Sequence, residues 1–138
     1  MIVSTKGRYA LRVMVCLARK SSEAYIPLRE IAEEEEISQK YLEAIMTILS
    51  KAGMVDAVHG KGGGYRLNRK PEEYTVGSIL ELTEGNLASA SCTIRGGTVC
   101  ARAACCRELP MWEKLDQMIH SFFAGITLAD LLDDSRTP

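Results

Sequence analysis

The feature that most limits the fold is a glycine run, Gly60-Lys61-Gly62-Gly63-Gly64, set between two short apolar segments, Met54 to Val58 and Tyr65 to Leu67. Short apolar segments joined by glycines read as a tight β-hairpin, because glycine alone turns the backbone through left-handed angles without steric cost. The run is not a nucleotide phosphate loop. It lacks the Gly-Lys-Ser/Thr ending, and a strand rather than a helix follows it.

Two short helices precede the hairpin. The first runs from Leu28 to about Glu35, with Leu28, Ile31 and Ala32 on its inner face. Ser38 caps the second, about Gln39 to Ala52, whose inner face is Leu42, Ile45, Met46 and Leu49. A turn of roughly three residues joins them, the spacing of a helix-turn-helix. Gly53 closes the second helix. Helix-turn-helix followed by hairpin is a winged helix, so the fold class is mainly α with a small β wing.

The rest of the chain builds on this unit. Ser4 or Thr5 caps a first helix, roughly residues 6–19, with Tyr9, Ala10, Val13, Met14, Leu17 and Ala18 as its apolar face. Cys16 lies among them and reads as a small core hydrophobe. Ile26-Pro27-Leu28 is a short extended lead-in to the next helix. Val76 to Glu84 is another short helix, and Gly85 to Ser91 is a linker. Pro110 opens a long helix that Gly125 ends, and Thr127-Leu-Ala-Asp130 is a capping box for a last helix through Leu132. The expected division is a winged helix-turn-helix over 1–84, a linker and cysteine-rich sensor loop over 85–109, and a dimerisation helix with a short C-terminal helix over 110–138.

At 138 residues the chain suits one compact domain. No apolar run approaches the ~20 residues of a membrane span. Lys6, Arg8 and Arg12 interrupt Met1 to Cys16, so no signal-peptide core is expected and the location is expected to be cytoplasmic. Net charge is −1, but residues 1–75 carry +2 and residues 76–138 carry −3. Two local basic patches stand out: Lys6, Arg8, Arg12, Arg19 and Lys20, then Lys61, Arg66, Arg69 and Lys70. Such patches suit phosphates. The acidic run Glu33 to Glu36 reads as a solvated helix end.

A recognition helix offers its first residues to base edges in the major groove. Here those are Ser38, Gln39, Lys40, Tyr41 and Glu43. Gln suits adenine, Glu accepts from cytosine, and Ser or Lys holds phosphate. The wing tip, His59, Gly60 and Lys61, suits the minor groove, and Lys6 joins the set from the first basic patch. The expected partner is double-stranded DNA with a pseudo-palindromic site.

Four of the five cysteines, Cys92, Cys100, Cys105 and Cys106, fall within fifteen residues. In a reducing compartment clustered cysteines serve as ligands or sensors rather than disulfides. An iron–sulfur cluster, zinc, a thiol switch at Cys105-Cys106 and a surface loop of free thiols all remain open. Zinc is weakened by the absence of a Cys-x2-Cys pair. Directly after the loop, Met111, Trp112, Leu115, Met118, Ile119, Phe122 and Phe123 form a wide apolar helix face that needs a partner. No acid–base set converges on a cysteine in sequence, and His59 and His120 lie far from one, so an enzyme is not expected.

Four segments, Ser4-Thr-Lys-Gly-Arg-Tyr-Ala-Leu-Arg12, Ile37-Ser-Gln-Lys-Tyr-Leu-Glu43, Val58-His-Gly-Lys-Gly-Gly-Gly-Tyr65 and Thr127-Leu-Ala-Asp-Leu-Leu132, together resemble the Rrf2 family of bacterial winged-helix transcription regulators. The resemblance spans Ile2 to Leu132. It implies a homodimer built on the long helix, with Trp112, Leu115, Met118, Ile119, Phe122 and Phe123 at the interface. It also implies an iron–sulfur cluster, because the five-residue gap from Cys100 to Cys106 matches cluster-binding members and makes Cys92, Cys100 and Cys106 the ligand trio. Cys105 is an alternative or fourth ligand. Where one subgroup carries a histidine ligand this chain has Leu109, and where another carries an acid on the first helix it has Arg8. Cys105, Glu108 or an outside thiol are therefore the candidates for the fourth position. The implied function is regulation in response to iron–sulfur status or to redox or nitric-oxide stress. The alternative is a cluster-free regulator of cysteine metabolism that works through a thiol switch or a partner enzyme.

Overall fold

The structure is a computed structural model that describes residues 3–20, 23–94 and 96–133. Among the described residues six α-helices and one hairpin follow in the order α1 (Thr5–Arg19), α2 (Leu28–Glu35), α3 (Gln39–Lys51), β1 (Val55–Val58), β2 (Gly64–Leu67), α4 (Val76–Glu84), α5 (Leu109–Ala124) and α6 (Leu128–Leu132). Their limits are set by local chemistry. The Ser4 hydroxyl oxygen accepts from Gly7 N–H, Ser38 from Tyr41, Thr75 from Ser78 and Thr127 from Asp130. Each satisfies a donor that the first turn of a helix leaves unpaired. At α6 the capping box is reciprocal, since Thr127 N–H donates back to Asp130 at 2.9 Å.

The inner faces of α1, α2 and α3 meet in one core. Ala10, Val13, Met14, Cys16, Ile31, Leu42, Ile45, Met46 and Leu49 are all inaccessible to solvent. Leu128 of α6 is buried in this same core. Residues 126–132 thus return to the first body instead of extending α5. Val76 N–H donates to the Ile126 carbonyl at 2.8 Å and Leu128 N–H to the Tyr74 carbonyl at 3.0 Å. A second, smaller cluster of Val76, Leu80 and Leu87 lies between α4 and α5, and Leu11, Ile119, Phe123 and Ile126 pack on it.

β1 and β2 pair antiparallel, Val55 opposite Leu67 through Val58 opposite Gly64. Ile26 adds a single bridge to Tyr65, with both backbone bonds made at 2.8 and 2.9 Å. This clamp explains Gly64, and the hairpin's own backbone explains Gly63. A Cβ on Gly64 would lie 2.3 Å from the Ile26 carbonyl oxygen, and one on Gly63 would lie 2.2 Å from that of Val58. Tyr74, buried under the base of the wing, donates its hydroxyl proton to the Met54 carbonyl at 2.8 Å and accepts from Asn68 N–H at 3.1 Å. The wing is therefore joined to the core at both its edge and its root.

Candidate DNA interface and cysteine loop

The first residues of α3 stand in solvent. Ser38, Gln39, Lys40, Tyr41 and Glu43 are exposed, while Leu42, Ile45, Met46 and Leu49 anchor the opposite face. Ser38 accepts from Tyr41 N–H at 3.2 Å, which leaves its own O–H to donate outward. Ala44 and Thr47 extend the exposed face by helical spacing, two positions that the end-of-helix argument missed. A methyl side chain such as Ala44 suits the thymine methyl group. At the wing tip His59, Gly60 and Lys61 are exposed, and Gly63 N–H closes the turn onto the Gly60 carbonyl at 3.0 Å.

The basic patches are smaller than the sequence suggests. Arg12 pairs with Glu35 at 3.3 Å, Arg19 with Glu35 at 3.2 Å, and Lys20 with Glu34 at 2.8 Å. The hydrogen bond between Lys20 and Glu34 raises the lysine pKa and holds the carboxyl below its usual range. The acidic run is thus no idle solvated end: Glu34 and Glu35 tie α2 to α1. In the second patch Arg66 pairs with Asp56 and stacks over Tyr25, and Arg69 bonds the Gly53 carbonyl and stacks over Tyr74. Among the described residues Arg8, Arg69 and Lys70 of the two patches make no ion pair, and neither do the DNA-contact candidates Lys6, Lys40 and Lys61. The last three lie at the start of α1, on α3 and on the wing.

Cys16, Glu34 and Glu35 offer three ligand atoms within 4.8 Å of one another, the only such trio among the described residues. It does not suit a metal. Burial, then Glu34 and Glu35, push the Cys16 thiol up to about 11, so the ligating thiolate is scarce at neutral pH. Both carboxylates are already held by Arg12, Arg19 and Lys20.

The loop cysteines are free thiols at the surface. Cys92, Cys100 and Cys105 are exposed and Cys106 is half-buried. Cys92 sits in a 3-10 turn, Ser91–Thr93, and faces a cleft of about 420 Å³ against α5 that Glu113, Asp116 and His120 also line. Further turns follow, with Ala103 N–H on the Cys100 carbonyl and Cys105 N–H on that of Arg102, both at 3.0 Å. No three loop sulfurs lie within 4.8 Å of one another. As a set of four soft sulfur donors on one loop, in no disulfide, they suit an iron–sulfur cluster and zinc alike. Arg102 and Arg107 belong to the described loop, whereas Arg95 lies outside the described residues. Glu108 is exposed at the start of α5, where its carbonyl accepts from Met111 at 2.9 Å.

The apolar stripe of α5 divides. Ile119 and Phe123 are half-buried and pack on the Val76–Leu80–Leu87 cluster of the same chain. Trp112 is half-buried. The remainder, Met111, Leu115, Met118 and Phe122, is exposed, with Met118 at 58% and Phe122 at 63%.

The sequence pattern of the Rrf2 family, described as an iron-dependent transcriptional regulator, matches residues 3–134. The chain belongs to this family. A relative named HTH-type transcriptional regulator IscR, from Aliivibrio salmonicida (strain LFI1238), is 37% identical over 136 residues, covering 99% of this chain and 80% of its own. Among solved structures, IscR of T. potens superposes with a TM-score of 0.77 at 35% identity, over 99% of this chain and 89% of that one. CymR of B. subtilis, titled the global cysteine regulator, superposes at 0.78 with 30% identity over 96% of each. Both the winged helix and α6, which packs back on α1, lie within the matched span. No helix among the described residues of this Rrf2 chain is long and apolar enough to cross a membrane.

Proposed function

We propose that this Rrf2 regulator acts as a homodimer that binds a pseudo-palindromic duplex through α3 and the wing, under control of an iron–sulfur cluster on the cysteine loop. What supports the reading most is position. The loop carrying Cys92, Cys100, Cys105 and Cys106 lies between the winged helix and the exposed face of α5.

Met111, Leu115, Met118 and Phe122 follow the four-three-four spacing of a helix–helix seam. Four large apolar side chains on one exposed line favour a second copy as occupant. Pairing two chains along α5 would set two recognition helices against one face of the duplex, one helical turn (roughly 34–36 Å) or a multiple of it apart. Gln39, Lys40, Tyr41 and Glu43 would then read bases, Ser38, Lys6 and Lys40 would hold phosphates, and Lys61 with His59 and Gly60 would follow the minor groove. Cys92, Cys100 and Cys106 would hold the cluster, with Cys105 or Glu108 nearest to hand as fourth ligand. When bound, a cluster supplies a centre sensitive to oxidants and nitric oxide. Closing the loop on a shared centre restricts the linker and so the spacing of the two recognition helices.

The test is anaerobic purification followed by a visible spectrum, iron and sulfide assay, and DNA binding before and after cluster removal. A brown protein with stoichiometric iron, whose DNA affinity changes on removal, supports the reading. A colourless protein that still binds DNA favours the second reading, a cluster-free regulator acting through a thiol switch or a partner enzyme. The likeness to CymR and the neighbouring thiols of exposed Cys105 and half-buried Cys106 support that alternative.

A further inference from the structure

We infer that Tyr9 is a positioning residue for DNA readout, its ring fixing the orientation of Tyr41 on the recognition helix; this rests on α3 being the helix that reads DNA. The rings of Tyr9 and Tyr41 meet edge to face, with centroids 5.8 Å apart and planes at 87°. The Arg12 guanidinium carbon lies 5.1 Å from the Tyr9 centroid. Arg12 in turn bonds Glu35 twice, Nε to Oε2 at 3.3 Å and Nη2 to the backbone carbonyl. Glu35 is the last residue of α2, and Glu36 beside it takes the left-handed conformation (φ 54, ψ 45) that makes the turn into α3. One line of contacts thus runs from the helix-turn-helix turn, through Arg12 and Tyr9, to the side chain of Tyr41.

Tyr41 is 37% exposed and points away from the core, so burial alone does not fix its rotamer. An exposed aromatic side chain free to change χ1 loses that freedom when it docks, at a cost to affinity. A T-shaped pair selects one orientation beforehand. The cation beside Tyr9 holds the first ring, and the ion pair to Glu35 holds the cation. None of these groups is fully buried. Tyr9 also packs against the main core, so its loss touches stability as well as binding, and the comparison of two duplexes isolates the binding part.

The test uses the full chain, a duplex selected from a randomised pool by the wild-type protein, and an unrelated duplex of equal length. Tyr9→Leu is expected to weaken binding to the selected duplex about fivefold while unrelated binding stays within about twofold. Tyr9→Phe, which keeps the ring, is expected to match wild type. In a Tyr41→Ala background Tyr9→Leu is expected to add almost nothing, because it acts through Tyr41. Losses that multiply would overturn the inference by showing that Tyr9 acts alone, as would a Tyr9→Leu protein that binds the selected duplex normally. Gln39→Ala separates the two levels. If it loses selectivity while Tyr9→Leu does not, only this inference fails; if neither Gln39→Ala nor Tyr41→Ala loses selectivity, α3 is not the reader and both fail. Should Tyr9→Leu not fold by circular dichroism, Arg12→Met leaves the ring but removes its support. A loss of about threefold that disappears in the Tyr41→Ala background is then expected, and a loss that persists there overturns the inference.

Discussion

The backbone N–H of Ser89 donates to Oδ1 of Asp116 at 2.7 Å, joining the linker after α4 to the middle of α5. Asp116 is a buried carboxylate, only 8% exposed. Burial alone would raise its pKa, but hydrogen bonds from Ser89 and Thr93 outweigh that and hold it below the usual value. Cys92 lies within the segment so held. Asp116 therefore fixes the near end of the cysteine loop against the helix proposed to pair two chains.

The sign of the pH effect follows. A carboxyl whose folded pKa is depressed stabilises the fold at pH above its unfolded value, and that stability is lost as pH falls through the folded one. Asp116→Asn removes this contribution. Melting temperature measured from pH 7 to pH 2.5 is expected to fall below about pH 4 in wild type and to fall less in Asp116→Asn. Asp116→Ala, which leaves Ser89 N–H without its partner, is expected to cost about 1–3 kcal/mol at pH 7. Parallel melting curves for wild type and Asp116→Asn would show that the carboxylate does not hold the linker.

The division of α5 gives two opposite outcomes on one helix. Leu115→Glu with Phe122→Glu changes exposed residues only. Sedimentation is expected to show folded monomers with a melting temperature close to that of the unassociated wild type. Ile119→Ala or Phe123→Ala instead removes side chains from the chain's own small core, with an expected loss of about 2–4 kcal/mol in denaturant unfolding. If Leu115→Glu/Phe122→Glu still sediments as a dimer, the interface lies elsewhere.

The wing makes a prediction about salt. Lys61 has no ion-pair partner among the described residues and stands at the exposed tip. Lys61→Ala is expected to weaken selected and unrelated duplexes alike and to reduce the salt slope by about one. Arg66→Ala at the same hairpin breaks contacts to Asp56, Tyr25 and the Glu23 carbonyl. Its expected effect is on stability, with little change in slope. A slope change at Arg66 equal to that at Lys61 would return Arg66 to the phosphate-binding set.

How much of this was legible in the sequence depends on distance along the chain. Helix limits were, because Ser4, Ser38, Thr127, Gly53 and Pro110 act within one turn of their own position. The wing was, because a glycine run has few other uses. The fate of charges was not. Arg12 and Arg19 are separated from Glu35 by 23 and 16 residues, and only the packing of α1 on α2 joins them. Nor could the apolar stripe of α5 be divided, since Leu115 and Ile119 are alike in hydropathy and differ only in whether α4 lies in front of them. Asp116, one of three charged residues on α5 with Glu113 and Lys114, gave no sign that a backbone N–H would seek it from 27 residues away.

The cysteine loop carries the last prediction. Cys92, Cys100 and Cys106 each provide a soft donor, and none is consumed by a disulfide. Loss of any one removes a ligand of the proposed trio, and Cys105 is expected not to take its place fully. Cys92→Ala, Cys100→Ala and Cys106→Ala are each expected to abolish the visible absorption of the anaerobic protein. Cys105→Ala is expected to keep part of it, since Cys105 already bonds the Arg102 carbonyl at 3.5 Å and its neighbour remains. All four side chains lie outside both apolar cores, so folding and dimerisation are expected to survive in every variant. DNA affinity should move to the value of the cluster-free protein in the first three and only part of the way in the fourth. Cys16→Ala is the contrasting control: it removes a buried core side chain with a protonated thiol. It should lower stability by about 1–2 kcal/mol and leave iron content unchanged. Iron retained when Cys92, Cys100 and Cys106 are all replaced by Ala, or lost only in Cys16→Ala, would move the metal centre off the loop.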